Sequence, residues 1–401
     1  MSETTTLEKA PGTASQDYTF LVGENVYLRT FHPGDEKNAT SWRRSIFPKS
    51  PELVEKWIKE ELPKEGNHKR SHLAIARKSD DIIIGSMLIF NGDVGIRVNA
   101  GVDPLYGENG QRWLVEALAI AAEWQVDENH QAKMDTEITS DQEIALQQLL
   151  QAGFVETARW REMLDKNGTR YDRILLSYFN AGWVERIGHP MEMELPRTGT
   201  GEIRPVPAKV ILDGDPPANA VIVGQRVYLR PEDKKDAEYY EKSSRMEDEA
   251  FFDIGRHIFP QAKLEKWITD GTDDDYPKYL GYAVCLREND EVIGSVCLLD
   301  TDFVNRTAET GSFFHESKNR GNGYGSEAKQ LLLEYAFDVL GLHMVNSFVY
   351  FPNTRSAAAL RKQGYRECGR LCWLYPYEGG FGNMVLFDLL ASEWRALPRE
   401  T

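Results

Sequence analysis

Between an apolar, strand-like run and an amphipathic helix, the chain reads Arg320-Gly321-Asn322-Gly323-Tyr324-Gly325-Ser326. Three glycines spaced two apart at the start of a helix leave several backbone N–H groups unobstructed, and such groups bind anions. The stretch therefore predicts a site for a phosphate-bearing cofactor. It lacks the Lys-Ser/Thr pair of a nucleotide-triphosphate loop. It also lacks the spacing of the dinucleotide fingerprint, in which the third glycine comes three residues after the second.

The chain is a tandem of two related halves. Several short blocks return in the same order at an offset of roughly 200–212 residues, which indicates a duplicated domain rather than a solenoid. The matching pairs are residues 22–29 with 223–230, 46–48 with 258–260, 55–58 with 265–268, 84–86 with 293–295, and 151–154 with 362–365. At the place of the glycine stretch the first half reads Tyr106-Gly107-Glu108-Asn109-Gly110-Gln111, so only the second copy is intact.

Length and composition predict two soluble domains. The 401 residues are 41% hydrophobic and 27% charged, as in ordinary globular proteins. We expect a disordered tail over 1–20, a first domain over 21–188, a Pro-rich linker over 189–220 and a second domain over 221–397. The net charge of −16 argues against nucleic acid as a partner, and no apolar run is long enough for a membrane.

Cysteine usage predicts a reducing cytoplasm and no metal site. The four cysteines all lie in the second copy and lack both zinc-ligand spacing and histidine partners: Cys285, Cys297, Cys368 and Cys372. A chain of this size does not depend on a disulfide framework.

Hydrophobic periodicity predicts an α+β fold for the second copy, with a mixed, mostly antiparallel sheet flanked by helices. Predicted strands cover 225–229, 279–286, 291–299, 308–315, 343–350, 366–375 and 384–389, and predicted helices cover 233–244, 262–269, 326–340 and 354–363. Asn353 is expected to cap the last of these helices, and residues 378–382 to form a glycine-rich hairpin loop.

These features resemble a known superfamily. The order of elements, Arg320-Gly321-x-Gly323-x-Gly325, and Asn353-x-x-Ser356 followed by Gly364-Tyr365 are similar to the GNAT acyl-CoA-dependent N-acetyltransferases, in the branch that includes RimJ/RimL-like enzymes and spermidine acetyltransferases. The resemblance is strong over 221–397 and weak over 21–188. It implies two tandem GNAT-like domains, the first degenerate.

The resemblance implies acetyl-CoA as the cosubstrate, without a metal. The pyrophosphate would bind the amides of the loop 320–326, with Arg320 adding a charged donor, and the pantetheine arm would lie between two splayed strands, 309–315 and 343–350. Asn353 would hold that arm, and a backbone N–H near Phe313 or Phe314 would polarise the thioester carbonyl. The residues expected to bind the cofactor are Phe313, Phe314, His315, Arg320, Gly321, Asn322, Gly323, Tyr324, Gly325, Ser326, Asn353 and Ser356.

Two side chains are candidates for the catalytic chemistry. Glu309 is the candidate base for the amine, the alternative being a solvated strand glutamate, and Ser356 is the candidate proton donor, the alternative being an ordinary first-turn serine. His257 and His315 lie next to the expected cleft, where a lone histidine is more often structural. The tyrosine acid of many GNAT enzymes is replaced here by Leu360, so positioning of the amine carries much of the expected rate gain.

The first copy departs from the pattern at both motifs. Gln142 stands at the asparagine position and Ala145 at the serine position, so we expect this half not to bind coenzyme A well and to contribute structure or a wall of the acceptor pocket. The acidic segments 247–249 and 273–275 either attract a cationic amine or form a solvated surface.

The functional hypothesis is transfer of an acetyl group to a primary amine of a small molecule or peptide, for example a cationic antibiotic or a polyamine. The alternatives are acetylation of protein N-termini that begin with alanine or serine, and a non-catalytic acyl-CoA sensor. We expect a monomer or homodimer that partners neither nucleic acid nor membrane.

Overall fold

The computed structural model describes residues 21–42, 47–65, 70–92, 94–195, 197, 201–245, 259–271 and 276–400. Contacts divide the chain into two compact units. The first unit ends at Thr157 and resumes over Arg173–Glu192, and the second comprises Ala158–Asp172 and the chain from Met193 onward. A segment of the first sequence copy is therefore part of the second unit, while the expected domain boundaries stay predictions.

The first unit contains a mixed sheet with flanking helices. Its elements are β1 (Leu21–Val22), β2 (Val26–Arg29), α1 (Ala39–Trp42), α2 (Pro51–Lys56), β3 (Arg70–Arg77), β4 (Ile83–Asn91), β5 (Ile96–Val102), α3 (Gly107–Ala122), β6 (Lys133–Thr139), α4 (Glu143–Gln151), parts of β7 (Val155–Lys166) and β8 (Thr169–Phe179), and α5 (Ala181–Ile187). The strand order is β1-β2-β3-β4-β5-β6-β8. Neighbours are antiparallel except β5 and β6, which pair in parallel.

The second unit repeats this architecture. Its elements are β9 (Ile222–Val223), β10 (Val227–Pro231), α6 (Asp236–Ser244), α7 (Gln261–Gly271), β11 (Leu280–Leu286), β12 (Val292–Asp302), β13 (Thr307–Phe313), α8 (Tyr324–Glu334), β14 (Met344–Tyr350), α9 (Thr354–Lys362), β15 (Arg366–Tyr377), β16 (Gly380–Leu390) and α10 (Ala391–Arg395). The order is β9-β10-β11-β12-β13-β14-β16-β15, with β13 and β14 the parallel pair. The predicted α+β class is confirmed. No described helix is long and apolar enough to cross a membrane.

The core of the second unit lies between its sheet and α8. Ala328 and Leu332 of α8 are fully buried, as the helical period predicts, and Leu333, which that period does not place on the apolar face, is fully buried as well. The helix continues beyond Glu334 as a π-helical turn over Tyr335–Val339. The 3.6-residue period of the predicted helix 326–340 places Val339 on the apolar face with Ala328 and Leu332. Because a π-turn holds more residues than an α-turn, it rotates the end of the helix, and Val339 is 65% exposed.

The parallel strands β13 and β14 separate halfway along their length. They pair only from Thr307 with Met344 to Glu309 with Asn346. Beyond that point β13 continues along β12, and β14 continues along β16 as far as Tyr350. The Ser347 hydroxyl donates a 2.9 Å hydrogen bond to the carbonyl of Thr310 at the junction. The strand edges beyond it therefore face a gap, as the resemblance implied.

Two regions differ from the sequence-based expectation. The glycine-rich loop expected at 378–382 is shorter, because β15 reaches Tyr377 and β16 begins at Gly380, so that only Glu378 and Gly379 form the turn. The Pro-rich stretch 189–220, described at 189–195, 197 and 201–220, is partly packed rather than a free linker. Its Val206 is 3% exposed in the core of the second unit, and its N–H donates to the carbonyl of Pro398 at 2.7 Å.

The segment Ala158–Asp172 is held to the second unit by an ionic network. Arg161 donates through Nε to Asp388 at 3.1 Å and through Nη1 to Glu393 at 2.6 Å. Asp388 on β16 is completely buried, and the backbone N–H of Arg161 also donates to it at 3.1 Å. Hydrogen bonding to the two carboxylates raises the pKa of Arg161 despite partial burial, so the guanidinium stays charged.

Replacing Arg161 with alanine is expected to lower the free energy of unfolding of the full chain by about 3–5 kcal/mol, because a buried Asp388 carboxylate loses its partner. Equilibrium urea denaturation measures the change. The matched control is Arg366→Ala, since Arg366 is exposed and makes a longer contact of 3.5 Å with the same Glu393. This variant is expected to lose less than ~1 kcal/mol of the free energy of unfolding. Equal losses in the two variants would contradict the assignment.

Candidate cofactor and acceptor site

The glycine loop leads from β13 into α8 in a conformation that side chains disfavour. Gly321 and Gly323 have φ angles of 78° and 86°, in the left-handed region. Gly323 is the N-cap of α8, and no side chain caps this end of the helix. The first-turn N–H groups of Tyr324, Gly325 and Ser326 have no acceptor within a helix. The loop therefore presents free donors and a positive helix end to an anion.

Arg226 anchors this loop, and the sequence analysis missed it. Its Nη1 donates to the carbonyl of Asn322 at 2.7 Å, and its Nε donates to Glu327 of α8 at 2.9 Å. Half of the Arg226 side chain stays exposed beside Gly323. A signal was present in the repeat, since the first copy has the uncharged Asn25 where the second has Arg226.

Arg320 supports the start of the loop. Its Nε donates to the carbonyl of Phe314 and its Nη2 to the carbonyl of His315, both at 2.7 Å. A Cβ added at Gly325 would lie 3.2 Å from the Phe314 ring, so this glycine allows the ring to pack against the first turn of α8. The guanidinium thus has backbone partners in the structure, and its contact with phosphate stays a prediction.

Asn353 caps α9 as expected. Its Oδ1 accepts a 3.0 Å hydrogen bond from the backbone N–H of Ser356. The Nδ2 group of Asn353 has no partner among the described residues. Ser356 lies in the first turn of the helix and is half-buried. The two residues of the second motif are therefore adjacent, with an amide group available to a ligand.

Glu309 lies where the two parallel strands separate, since it forms the last pair with Asn346. Burial, reinforced by the charge of Asp300, raises the pKa of Glu309 to about 7, although the charge of Lys329 opposes the shift. A carboxyl group with this pKa can both accept and release a proton near neutral pH. The position and the pKa fit the expected base.

A polar cluster fills the core beneath this junction. The Thr310 hydroxyl lies 2.8 Å from the Tyr365 hydroxyl, and the Lys329 ammonium lies 5.9 Å from the centre of the Tyr365 ring. Lys329 of α8 is only 3% exposed. Burial lowers the pKa of Lys329 to about 7, although the charge of Glu309 opposes the shift.

Comparison with known proteins identifies a family for the part of the chain that holds this site. Residues 226–366 match the family model described as an acetyltransferase (GNAT) domain. This segment is a GNAT acetyltransferase domain. The match confirms, for that part of the chain, the predicted enzyme class and the predicted acetyl donor, acetyl-CoA.

Curated relatives of this chain include N-acetyltransferases of bacilli. An uncharacterized N-acetyltransferase, p20 of Bacillus licheniformis, is 31% identical over 28% of this chain, which spans 63% of the length of p20. The uncharacterized N-acetyltransferase YnaD of Bacillus subtilis is 26% identical over 35% of this chain and 80% of its own length. Among solved structures, a Vibrio cholerae spermidine N-acetyltransferase in complex with CoA and spermine has a TM-score of 0.39 and 18% identity, covering 42% of this chain and 98% of that one.

In the first unit a helix occupies the place that corresponds to the glycine loop. We expected Gly107 and Gly110 to lie in a loop, but α3 already begins at Gly107, and Gly110 is buried inside the helix. In the register that pairs Glu116 with Glu327, Gly110 corresponds to Gly321, whereas Arg112 and Leu114 stand where the second copy has Gly323 and Gly325. From the same helix Gln111 reaches α4, where its Oε1 accepts from the N–H groups of Ile144 and Ala145 at 3.1 and 3.2 Å.

The core beneath the first-unit junction is apolar. Glu116 of α3 accepts from the N–H groups that start β2, as Glu327 of α8 does for β10, so Leu118 corresponds to Lys329. By the repeat, Phe154 corresponds to Tyr365. Leu118 and Phe154 both lie in the hydrophobic core of the first unit. The polar cluster is thus specific to the GNAT domain.

Some expected features lie outside the described residues, namely His257 and the acidic segments 247–249 and 273–275. His315 is described and lies with its ring 6.3 Å from that of Phe313. Within the described ranges, no group of three or more His, Cys, Asp or Glu side chains is placed to hold a metal ion.

Lys329→Leu tests the buried amine. Because the pKa of Lys329 is lowered in the folded state, the unfolded chain binds the extra proton between pH 7 and 10.5, and this residue makes stability rise with pH across that window. The leucine variant should therefore be more stable near pH 7, and its advantage should shrink by ~1.4 kcal/mol per pH unit towards pH 10. Urea denaturation at several pH values measures it, and parallel stability curves would contradict the assignment.

Proposed function

We propose that this chain is an acetyl-CoA-dependent N-acetyltransferase that acetylates a primary amine within the second copy, 221–397. The observation that carries the proposal is the uncapped start of α8 next to the gap between β13 and β14. The first offers donors for a diphosphate, and the second offers unpaired strand edges for an amide-bearing arm. Both belong to the GNAT domain.

The residues fit the cosubstrate as follows. The N–H groups of the loop 321–326 would hold the diphosphate, with the exposed part of Arg226 as an additional cation. The strand edges beyond Glu309 and Asn346, together with the Asn353 amide, would hold the pantetheine arm. Backbone N–H groups near Phe313 and Phe314 would polarise the carbonyl at the reacting end. These roles rest on the geometry of free donors.

Acetyl-CoA, when bound, supplies an acetyl group already activated as a thioester. The amine nitrogen forms the new bond to the acetyl carbon while the C–S bond breaks. In our proposal ionised Glu309 accepts the proton that the amine loses. Ser356 donates a proton to the departing sulfur and regains one from solvent, so that coenzyme A leaves as the thiol and Glu309 releases its proton to complete the cycle. Because the thioester is already activated, the residues around the site contribute chiefly by holding the amine in line with the acetyl carbon.

We further propose that the first copy is a degenerate GNAT-like domain with a structural role. The early start of α3, the Gln111 contact with α4 and the apolar core around Leu118 support this role. The whole would be a tandem of the RimJ/RimL-like branch, working in the cytoplasm as a monomer or homodimer. Among acceptors we favour small cationic amines such as polyamines or cationic antibiotics over peptide N-termini.

Gly321→Asp tests the diphosphate site. The substitution places a negative charge among the loop donors, so the affinity for coenzyme A should fall by at least about 10-fold, or 1.4 kcal/mol. Isothermal titration calorimetry measures the affinity. The matched control is Gly168→Asp, since both glycines have φ near 80° and nothing within 4 Å of an added Cβ. Unchanged affinity in the Gly321 variant would refute the site.

Glu309→Gln tests the base. We expect kcat to fall about 10²–10⁴-fold while the affinity for coenzyme A is kept, because the amide cannot accept a proton. Wild-type kcat/KM should rise with pH through about 7, as Glu309 ionises, and the variant should lack this limb. Glu288→Gln, at an exposed turn, is the control. A variant with the wild-type pH profile would exclude Glu309 as the base.

A further inference from the structure

A second carboxylate lies on the α6–α7 side of the second unit. The Glu232 side chain rests over Gly281 of β11, where an added Cβ would fall 2.1 Å from Oε2. The Tyr279 hydroxyl donates to the same oxygen at 2.9 Å. The carboxylate thus occupies the space that the missing side chain of Gly281 leaves, and a larger residue there would displace it.

This carboxylate is largely buried and forms no ion pair with a described residue. Burial raises the pKa of Glu232. The nearest arginine in sequence, Arg230, is committed to Asp236 by two hydrogen bonds of 2.8 and 2.7 Å. Across the described ranges of the chain, no lysine, arginine or histidine forms an ion pair with Glu232. A buried carboxylate without a cation is costly, which points to a partner that is not part of the fold.

Aromatic groups surround the same place. The rings of Trp267 on α7 and Tyr279 lie 5.3 Å apart, and Trp267 is 47% exposed. The Tyr240 hydroxyl of α6 is buried and makes no hydrogen bond of normal geometry with the described residues. Burial and the charge of Glu232 raise the pKa of Tyr240, which keeps it a neutral donor. Aromatic faces next to a carboxylate are the surroundings that bind an alkylammonium group.

The first unit shows that the fold does not need polar groups here. The ion pair of Arg29 with Asp35 has the same six-residue spacing as that of Arg230 with Asp236, so Phe31 corresponds to Glu232. Phe31 packs 4.4 Å from Trp42 and 5.8 Å from Trp57, ring centre to ring centre. An aromatic core in one copy is thus a carboxylate with hydroxyl groups in the other.

A row of small residues connects Glu232 with the proposed reaction site. Gly281 pairs with Cys297, and Cys297 pairs with Gly311, so the three share one face of β11, β12 and β13. Glu309 lies two residues from Gly311 and therefore on that face as well. Two strand spacings amount to about 10 Å. The two carboxylates therefore lie on the same face of the sheet, two strands apart.

We propose that Glu232, Tyr279 and Trp267 form a subsite for a second cationic group of the acceptor. The acceptor is then a slender dication, whose far ammonium group binds at Glu232 while its reacting amine lies at Glu309, on the order of 10 Å away. This inference rests on the proposed acetyltransferase function and specifies its substrate class. The far cation supplies the partner that the buried carboxylate lacks.

The test compares linear diamines of increasing length with monoamines of the same length, using thiol release from acetyl-CoA. Wild-type kcat/KM should be at least about 10-fold higher for a diamine than for the monoamine of the same length. This ratio corresponds to an ion pair that contributes about 1.4 kcal/mol. Glu232→Gln, which can still accept the hydrogen bond of Tyr279, should remove this preference through KM and leave monoamine turnover unchanged. Trp267→Leu should also reduce the preference for diamines over monoamines. Asp233→Asn, at an exposed neighbour, is the control.

A wild-type enzyme without preference for diamines would overturn the subsite, as would a Glu232→Gln variant that loses both substrate types equally. Calorimetric binding of the diamines to the coenzyme A-loaded protein separates this inference from the proposed function. Absence of turnover on every amine would refute the acetyltransferase proposal, whereas diamine binding that Glu232→Gln weakens would still support the subsite. Diamine binding that is equal in wild type and variant would refute it.

Discussion

The site depends on the separation of two parallel strands. Three residue pairs hold β13 to β14, and beyond Glu309 each strand stays with its other neighbour. Backbone groups at the freed edges have to find partners, because unpaired N–H and C=O groups away from water are costly. The Ser347 contact with Thr310 satisfies one of them at the junction. The remaining edge groups, the glycine loop and Glu309 are all placed with respect to this gap.

The two copies share the scaffold and differ in what fills it. In the first unit β5 and β6 also pair only from Ile96 to Val98 before they separate. Strand geometry alone therefore does not distinguish a site from a structural domain. The copies differ instead in their buried side chains. A leucine, a phenylalanine and an aromatic core in the first copy correspond to Lys329, Tyr365 and Glu232 in the second. Buried polar groups lower stability, so their presence in only one copy favours a functional origin.

Much of the second copy was predictable from its sequence. The helical period over α8, the glycine that starts it and the Asn353 cap are local signals, because each depends on residues within one or two turns. The errors lie where distant contacts decide. The exposure of Val339 follows from a π-turn, and Gly110 lies inside α3 where Arg112 and Leu114 replace the glycines at 323 and 325 of the second loop. Arg226 was missed because its partners are about a hundred residues away.

By itself the sequence determined the α+β class, and it predicted the duplication and a loop of the phosphate-binding type, because hydrophobic periodicity, repeated blocks and glycine spacing can be read from short stretches of sequence. Only the tertiary structure decided that Ala158–Asp172 belongs to the second unit, through the buried contact of Arg161 with Asp388. It also brought Glu232, Trp267 and Tyr279 together from three separate elements. Burial and charge pairing between distant residues depend on where the chain folds back, which periodicity does not encode.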